Sequence, residues 1–397
     1  MTQPASPAAA PSARTVEAGA GGGGVDATAH AAHAAHATQA VGAAGSAQAS
    51  PVRAPAPLRP TLTFAVLAAF SLLALLLACA IGSVKLSPAD LWRATGELLA
   101  GADPATRSLP AALLELRLHR ALAAWSTGAL LALAGTMMQA LLRNPLADPY
   151  VLGVSGGASV GALAAMFLSA AGWIVDASAF AGATAVSLLL LLFAHRDLRA
   201  AAAAGNAAGS ASLLLLTGVI LAAGCSALIA LILSIATDNK LRGMVFWMIG
   251  DLAGAQARAL PWAALLLVFV FCLRNARAVN LLAMYAETAA SLGVAVGRLR
   301  LGLFLGAALS TACAVTGAGS VGFIGLIVPH ACRFALGPDH RLLFPAAAMA
   351  GGVFLTLADT AARTVLSPQQ LPVGVITALI GVPAFLLQLH QVRRGAR

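Results

Sequence analysis

The chain has 397 residues, 60% of them hydrophobic and only 10% charged, with a formal net charge of +10. Soluble domains carry about 25% charged residues, so this composition excludes an ordinary soluble protein and points to a bilayer. The basic excess does not mark a nucleic-acid binder. Lys and Arg are scattered between apolar runs and never form a dense stripe with interleaved aromatics.

Residues 1–58 are rich in Ala, Gly and Pro and nearly free of large apolar side chains. Such a segment cannot bury enough surface to offset its ordering entropy, so it is expected to be a disordered tail before a permease domain at 59–397. It has no basic region directly preceding an apolar core, so it is not expected to be a cleaved signal peptide. His30, His33 and His36 are compatible with metal capture but read as histidines scattered in an alanine-rich tail.

The first apolar run, 63–81, is followed by a polar connection (83–116) with an amphipathic piece at 86–99. Further spans are expected at 118–142, 151–171, 177–195, 212–235, 260–274, 299–317, 319–336, 343–361 and 372–390, which makes ten. The weakest is 260–274, whose missing length is sought backwards, in 247–259. With the N-terminus inside, the 24 Lys and Arg residues divide as 15 inside and 9 outside, so both termini are expected on the cytoplasmic side. The five cysteines sit in apolar runs without a CxxC pair and read as small buried hydrophobes. The fold expected is therefore all-α, a polytopic membrane bundle.

The most informative stretch is 117–161. Arg117 and Arg120 precede a nearly charge-free run ending Gly135-Thr-Met-Met-Gln139. A polar break follows, Asn144-Pro-Leu-Ala-Asp-Pro149, in which the two prolines enforce a turn. Gly153, Gly157 and Gly161 then recur every four residues, a smooth stripe for a neighbouring helix. Later in the chain stand Gly319, Gly322 and Gly325 with a kink expected at Pro329, and Gly374 and Pro383 near the end. Each half holds an arginine pair, a glycine-rich passage and a proline turn (Asn144-Pro145; Val328-Pro329-His330), so the two halves look weakly related.

These motifs resemble the FecCD-type permease family of bacterial ABC importers for iron(III)-siderophores, haem and cobalamin. The family reads R-x-P-R, G-x-x-x-Q and N-P-L-A-x-P-x-x-L-G-x-x-x-G-A, and only His119 departs from it in this block. Gly317–Arg333 resembles the family's G-x-I-G-F-x-G-L-x-x-P-H-x-x-R. The resemblance covers about 62–390 and implies a type II importer permease of the inner membrane. It would work as a homodimer, with ABC ATPase subunits and a periplasmic substrate-binding protein. Iron-chelate is the expected cargo, with cobalamin as the other possibility.

Residues 276–298 are too polar to span and too helical for a loose loop; alone they read as helices docked in a partner's groove or lying on the membrane. The resemblance makes them coupling helices against the ATPase, through Glu287, Ala289, Leu292, Gly293 and Val294, with Tyr285 and Ala286 replacing a glycine and a glutamate. It also makes Arg117, Arg120 and Arg363 docking points for receptor carboxylates, and Asn144 and Leu146 part of a cytoplasmic gate. Asp359 and Arg363, four apart, read by themselves as a helical ion pair.

Neither of the two lysines, Lys85 and Lys240, follows a glycine, so the chain has no G-x-x-x-x-G-K-[ST] phosphate loop and its energy is expected from a partner. Gly153-Val-Ser155-Gly-Gly157 spells a hydrolase elbow without the strand it needs. No catalytic residue, cofactor or metal site is expected. An ion-gradient-driven transporter is the alternative, but no chain of intramembrane carboxylates supports it.

Overall fold

The computed structural model of the protein describes residues 60–395, except 102, 205–206 and 256–257. The tail, with its expected disorder and its three histidines, lies outside the described residues. Within them there is no strand. Thirteen helices follow in order: α1 (Pro60–Ala80), α2 (Pro88–Leu99), α3 (Leu109–Leu142), α4 (Val154–Phe167), α5 (Gly172–Ala204), α6 (Ala207–Ile235), α7 (Asp238–Ile249), α8 (Ala259–Met284), α9 (Ala286–Ser291), α10 (Val296–Ala318), α11 (Ile324–Leu336), α12 (His340–Thr364) and α13 (Val373–Gly395). One 3-10 turn, Pro149–Leu152, precedes α4.

Seven of these helices (α1, α3, α5, α6, α8, α10 and α12) are long and apolar enough to cross a membrane. Three shorter apolar helices, α4, α11 and the first part of α13, stand where the other three spans were expected. The start signals are local. Ser87 and Asp90 form a capping box on α2, and the Ser108 hydroxyl caps α3 ahead of Pro110.

Two expectations are corrected. The weak span at 260–274 gains its length forwards rather than backwards, because α8 runs on through Arg274 and Arg277 to Met284. Long arginine stems can lie along a helix with their heads in water, so these charges do not end it. Consequently the two long helices of the expected coupling region are separated by residues 285–295, which hold the six-residue α9. The second correction concerns Val328-Pro329-His330, which is helix rather than turn. The chain bends earlier instead, at 319–323, where Gly319 and Phe323 both have positive φ.

Helix α3 is the axis of the bundle, touching α1, α2, α8, α10, α11 and α12. From Ser126 to Leu142 every residue is buried, on all faces, as for a helix surrounded by others. Apolar burial alone cannot draw helices together in lipid, where close backbone approach and polar contacts hold them. A Cβ on Gly128 would overlap the Gly351 carbonyl of α12, and one on Gly135 the Gly325 carbonyl of α11. Gly157 and Gly161 press against Gly182 and Ser178 of α5 in the same way.

Not every expected packing glycine does this. Gly322 faces open space, and Gly153, at φ 77°, closes the 3-10 turn and opens α4. Gly374 packs on the Ile249 carbonyl, joining α13 to the end of α7.

Pro329 lies inside α11 and has no N–H for the Gly325 carbonyl four residues back. Gln139 of α3 supplies the donor: its Nε2 lies 3.3 Å from Gly325 O and 3.3 Å from Leu326 O. A buried carbonyl freed by proline in a membrane must find such a partner. Pro383 likewise lies within α13, which continues through it.

Gly135→Ala is expected to cost about 1–3 kcal/mol through overpacking and to lower the thermal unfolding temperature in detergent. Gly317→Ala, whose Cβ would meet nothing within 4 Å, is expected to leave it unchanged or raise it. Equal melting of the two variants would contradict the packing described here.

Candidate functional site

Two clusters of polar residues lie at opposite ends of α3. Arg117 and Arg143 are separated by roughly 39 Å of helix at about 1.5 Å per residue.

At the N-terminal end the three arginines expected to meet a receptor come together, but they turn inward. Arg117 donates to the Cys79 and Ala80 carbonyls at 3.0 and 3.1 Å and to that of Val84. It thereby satisfies the free carbonyls at the C-terminus of α1. Its guanidinium lies on Gly82, where a Cβ would be 2.6 Å from Cζ.

Arg120 reaches both Asp359 oxygens through Nε and Nη2, at 2.7–3.1 Å, and Gln370 Oε1 at 2.9 Å. Arg363 approaches the other side of Asp359, with Nε 3.1 Å from Oδ2, and donates to Ala78 O at 3.2 Å. All four residues are at most 6% exposed. The four side chains thus carry three positive charges and one negative, and the three arginines line a cavity of about 130 Å³. The helical pair Asp359–Arg363 is present, and Arg120 from α3 makes it a triad.

At the other end, Arg143 closes α3 in the left-handed region, at φ 49°. Glycine usually takes this position because a Cβ is strained there. Arg143 is held by its side chain instead: Nη2 donates to Met284 O at 2.7 Å, and Cζ sits 5.7 Å from the centre of the Tyr285 ring. Asn144 then shapes the turn, its side-chain oxygen accepting from Leu146 N at 2.9 Å. Asn144 and Leu146 are both exposed. Asp148 accepts from Tyr150 N at 2.8 Å to start the 3-10 turn, and burial pushes its carboxyl up to about 6.

The expected coupling residues form one small exposed knob. Tyr285 opens the six-residue α9, with Glu287 in its first turn. Ala289 is buried beneath it, while Leu292 is 63% exposed. Gly293 turns the chain at φ 83°, with open space where a Cβ would stand, and Val294 N returns to Ala289 O at 3.0 Å. Beside this knob, Asn280 near the end of α8 donates to Asp339 Oδ1 at 2.7 Å and accepts from His340 N at 2.9 Å. Hydrogen bonds from Arg341 and Asn280 hold the Asp339 carboxyl well below the usual range.

Sequence reasoning gave no role to Arg143 or Asn280, and placed Gln139 in a motif without its partner. Arg143 carries a signal in retrospect, because a long cation directly before Asn-Pro stands where a helix must end. Asn280 carries none, since its partners are 59 and 60 residues away.

The sequence profile of the FecCD transport family matches residues 69–391. The chain belongs to the FecCD transport family. It is 38% identical over 328 residues to the vitamin B12 import system permease protein BtuC of Salmonella paratyphi A, an alignment covering 81% of this chain and 93% of the relative. It is also 38% identical over 333 residues to BtuC of Escherichia coli O9:H4, covering 83% and 94%. Among solved structures it resembles an inward-facing metal-chelate-type ABC transporter, with a TM-score of 0.70 and 29% identity, over 84% of this chain and 100% of that one. This FecCD protein is thus a multi-pass membrane permease of the ABC importer type and a transporter component rather than an enzyme.

Asp359→Asn is expected to lower the unfolding temperature sharply, since removing one partner of a buried ion pair costs about 3–5 kcal/mol. Arg341→Ala, which breaks the exposed Arg341–Asp339 pair, should change it little. Similar melting of the two variants would argue against the buried triad.

Proposed function

We propose that this chain is the membrane subunit of an importer that carries cobalamin inward by alternating access, driven by separate ATPase subunits. The observation that carries the reading is the contact of Arg143 with Met284 O and Tyr285. It joins the gate turn at Asn144 and Leu146 to the knob formed by Glu287, Ala289, Leu292, Gly293 and Val294. A nucleotide-driven push on that knob is thereby delivered to the end of α3, the most buried helix of the fold. The chain has no phosphate-binding loop of its own, which suits a subunit moved from outside.

In this reading both termini are cytoplasmic and the arginine end faces the periplasm. A second copy of the chain completes the pathway, and exposed apolar side chains of α6 and α13 such as Ile220, Leu231, Leu379 and Leu387 are available to it and to lipid. The excess positive charge of Arg117, Arg120 and Arg363 would attract receptor carboxylates and speed docking. Because these side chains are held inward, such contact requires the surface over them to open. Cobalamin is preferred over an iron-chelate because relatives at 38% identity along most of the chain are named for vitamin B12 import.

The direct test is uptake of labelled cyanocobalamin into proteoliposomes holding the permease, its ATPase and its receptor. Uptake that requires ATP is the expected result. Uptake without ATP, or uptake of a ferric siderophore in place of cobalamin, would contradict the proposal.

Two variants test the linkage. Arg143→Ala removes a hydrogen bond from a charged donor, worth about 1.5–3 kcal/mol, and is expected to reduce cobalamin imported per ATP by roughly tenfold, with Arg143→Lys partly restoring it. Gly293→Val, strained at a φ that side chains rarely adopt, is expected to uncouple in the same way while receptor docking persists. Normal import per ATP in both would separate the knob from the gate turn.

A further inference from the structure

Helix α2 (Pro88–Leu99) links the spans α1 and α3 and stands outside both polar clusters. Its inner side is seated against the ends of those spans. Ala94 is buried with Ala111 and Leu114 of the first two turns of α3, and Leu91 and Leu98 pack there with Cys79 of the last turn of α1. Glu97 accepts from Ser108 N at 3.1 Å, which ties the end of α2 to the start of α3. Spans end where the hydrocarbon stops, so α2 lies at the boundary between bilayer and water.

At about 100° per residue, the side chains of α2 fall into three sectors. Leu91, Ala94 and Leu98 make the side against the spans. Asp90, Arg93 and Glu97 lie roughly 100° around the helix from it in one direction. Trp92 and Leu99 lie roughly 120° from it in the other. These two are 83% and 85% exposed. Gly96, next to them, has open space where a Cβ would stand, so no other described part of the chain covers the stripe.

We infer that α2 is an interfacial helix, with its Trp92–Leu99 stripe sunk among the lipid headgroups and the first acyl carbons. Its Asp90–Arg93–Glu97 flank then faces water, the division that a helix lying in the membrane plane requires. A Trp ring suits that depth, with an apolar body and one N–H donor. The stripe is also continuous with apolar side chains that the neighbouring spans expose at the same end. These are Leu76 and Ile81 beside the end of α1, and Leu116 and Leu118 on α3. A soluble receptor descending from the water would meet the charged flank first, so charge and continuity both favour lipid.

The connection before α2 gains a seat from this arrangement. Its Gly82, Ser83 and Val84 line the arginine cavity, and the Val84 carbonyl accepts from Arg117. The inference goes beyond the permease reading and holds whatever the cargo.

The test uses the full chain with its ATPase in liposomes of phosphatidylcholine and phosphatidylglycerol. Trp92→Cys, Leu99→Cys and Arg93→Cys are spin-labelled one at a time. The chain's own cysteines, buried apart from the half-buried Cys79, give a background measured on the unmodified chain. Relaxation by oxygen relative to a water-soluble nickel chelate should be about threefold higher at 92 and 99 than at 93, as for a stripe in lipid beside a flank in water. A second readout needs no label: brominated phosphatidylcholine should quench less of the Trp emission in Trp92→Phe than in the unmodified chain. Labels at 92 and 99 as open to nickel as the one at 93 would overturn the inference. So would labels shielded only once the soluble receptor is added, which would make the stripe a docking surface. Bromolipid quenching that Trp92→Phe leaves unchanged would overturn it as well.

Discussion

The structure depends on how closely α3 lies against α11 and α12. At Gly128 opposite Gly351, and at Gly135 opposite Gly325, there is no room for a methyl group. In water, apolar burial at about 25 cal/mol per Å² could hold such helices together without that closeness. In lipid the surrounding chains are as apolar as the helices, and close backbone contact with a few well-satisfied polar groups must serve instead. Gln139 belongs to the same seam, donating to the carbonyl that Pro329 leaves without its helical partner.

A rigid, fully buried α3 gives its two ends their meaning. At one end its side chains hold the C-terminus of α1 and, through Asp359, the end of α12. At the other it terminates in a left-handed arginine whose side chain grips the segment between α8 and α9. Neither grip is apolar. Each uses a guanidinium, which can satisfy several carbonyl or carboxylate oxygens at once.

Much of the fold could be read from the sequence because apolar length is a strong signal. Each of the ten expected runs holds a helix, and Gly157 and Gly161, four residues apart, lie against α5. The errors have physical causes. Arg274 and Arg277 looked like a span boundary, yet their stems let α8 continue. Pro329 looked like a turn, yet Gln139 on a distant helix compensates for it. Gly322 fitted a packing pattern, yet the chain there is not helical and faces open space.

The candidate site was less legible, because its key contacts are tertiary. Spacing suggested Asp359 with Arg363, four residues apart on one helix. Arg120 joins them from 239 residues away, and no local pattern announces that. Arg143 with Met284 is a similar case, 141 residues apart.

The central proposal is that the turn at Asn144 and Leu146 and the knob at 285–294 move as one body because Arg143 ties them. Pulsed electron resonance between spin labels at positions 146 and 292, in the reconstituted complex with and without bound nucleotide, tests it most directly. The label-to-label distance within one protomer is predicted to stay constant while the labels shift together relative to the start of α3. A distance that changes with nucleotide in the intact chain would contradict it.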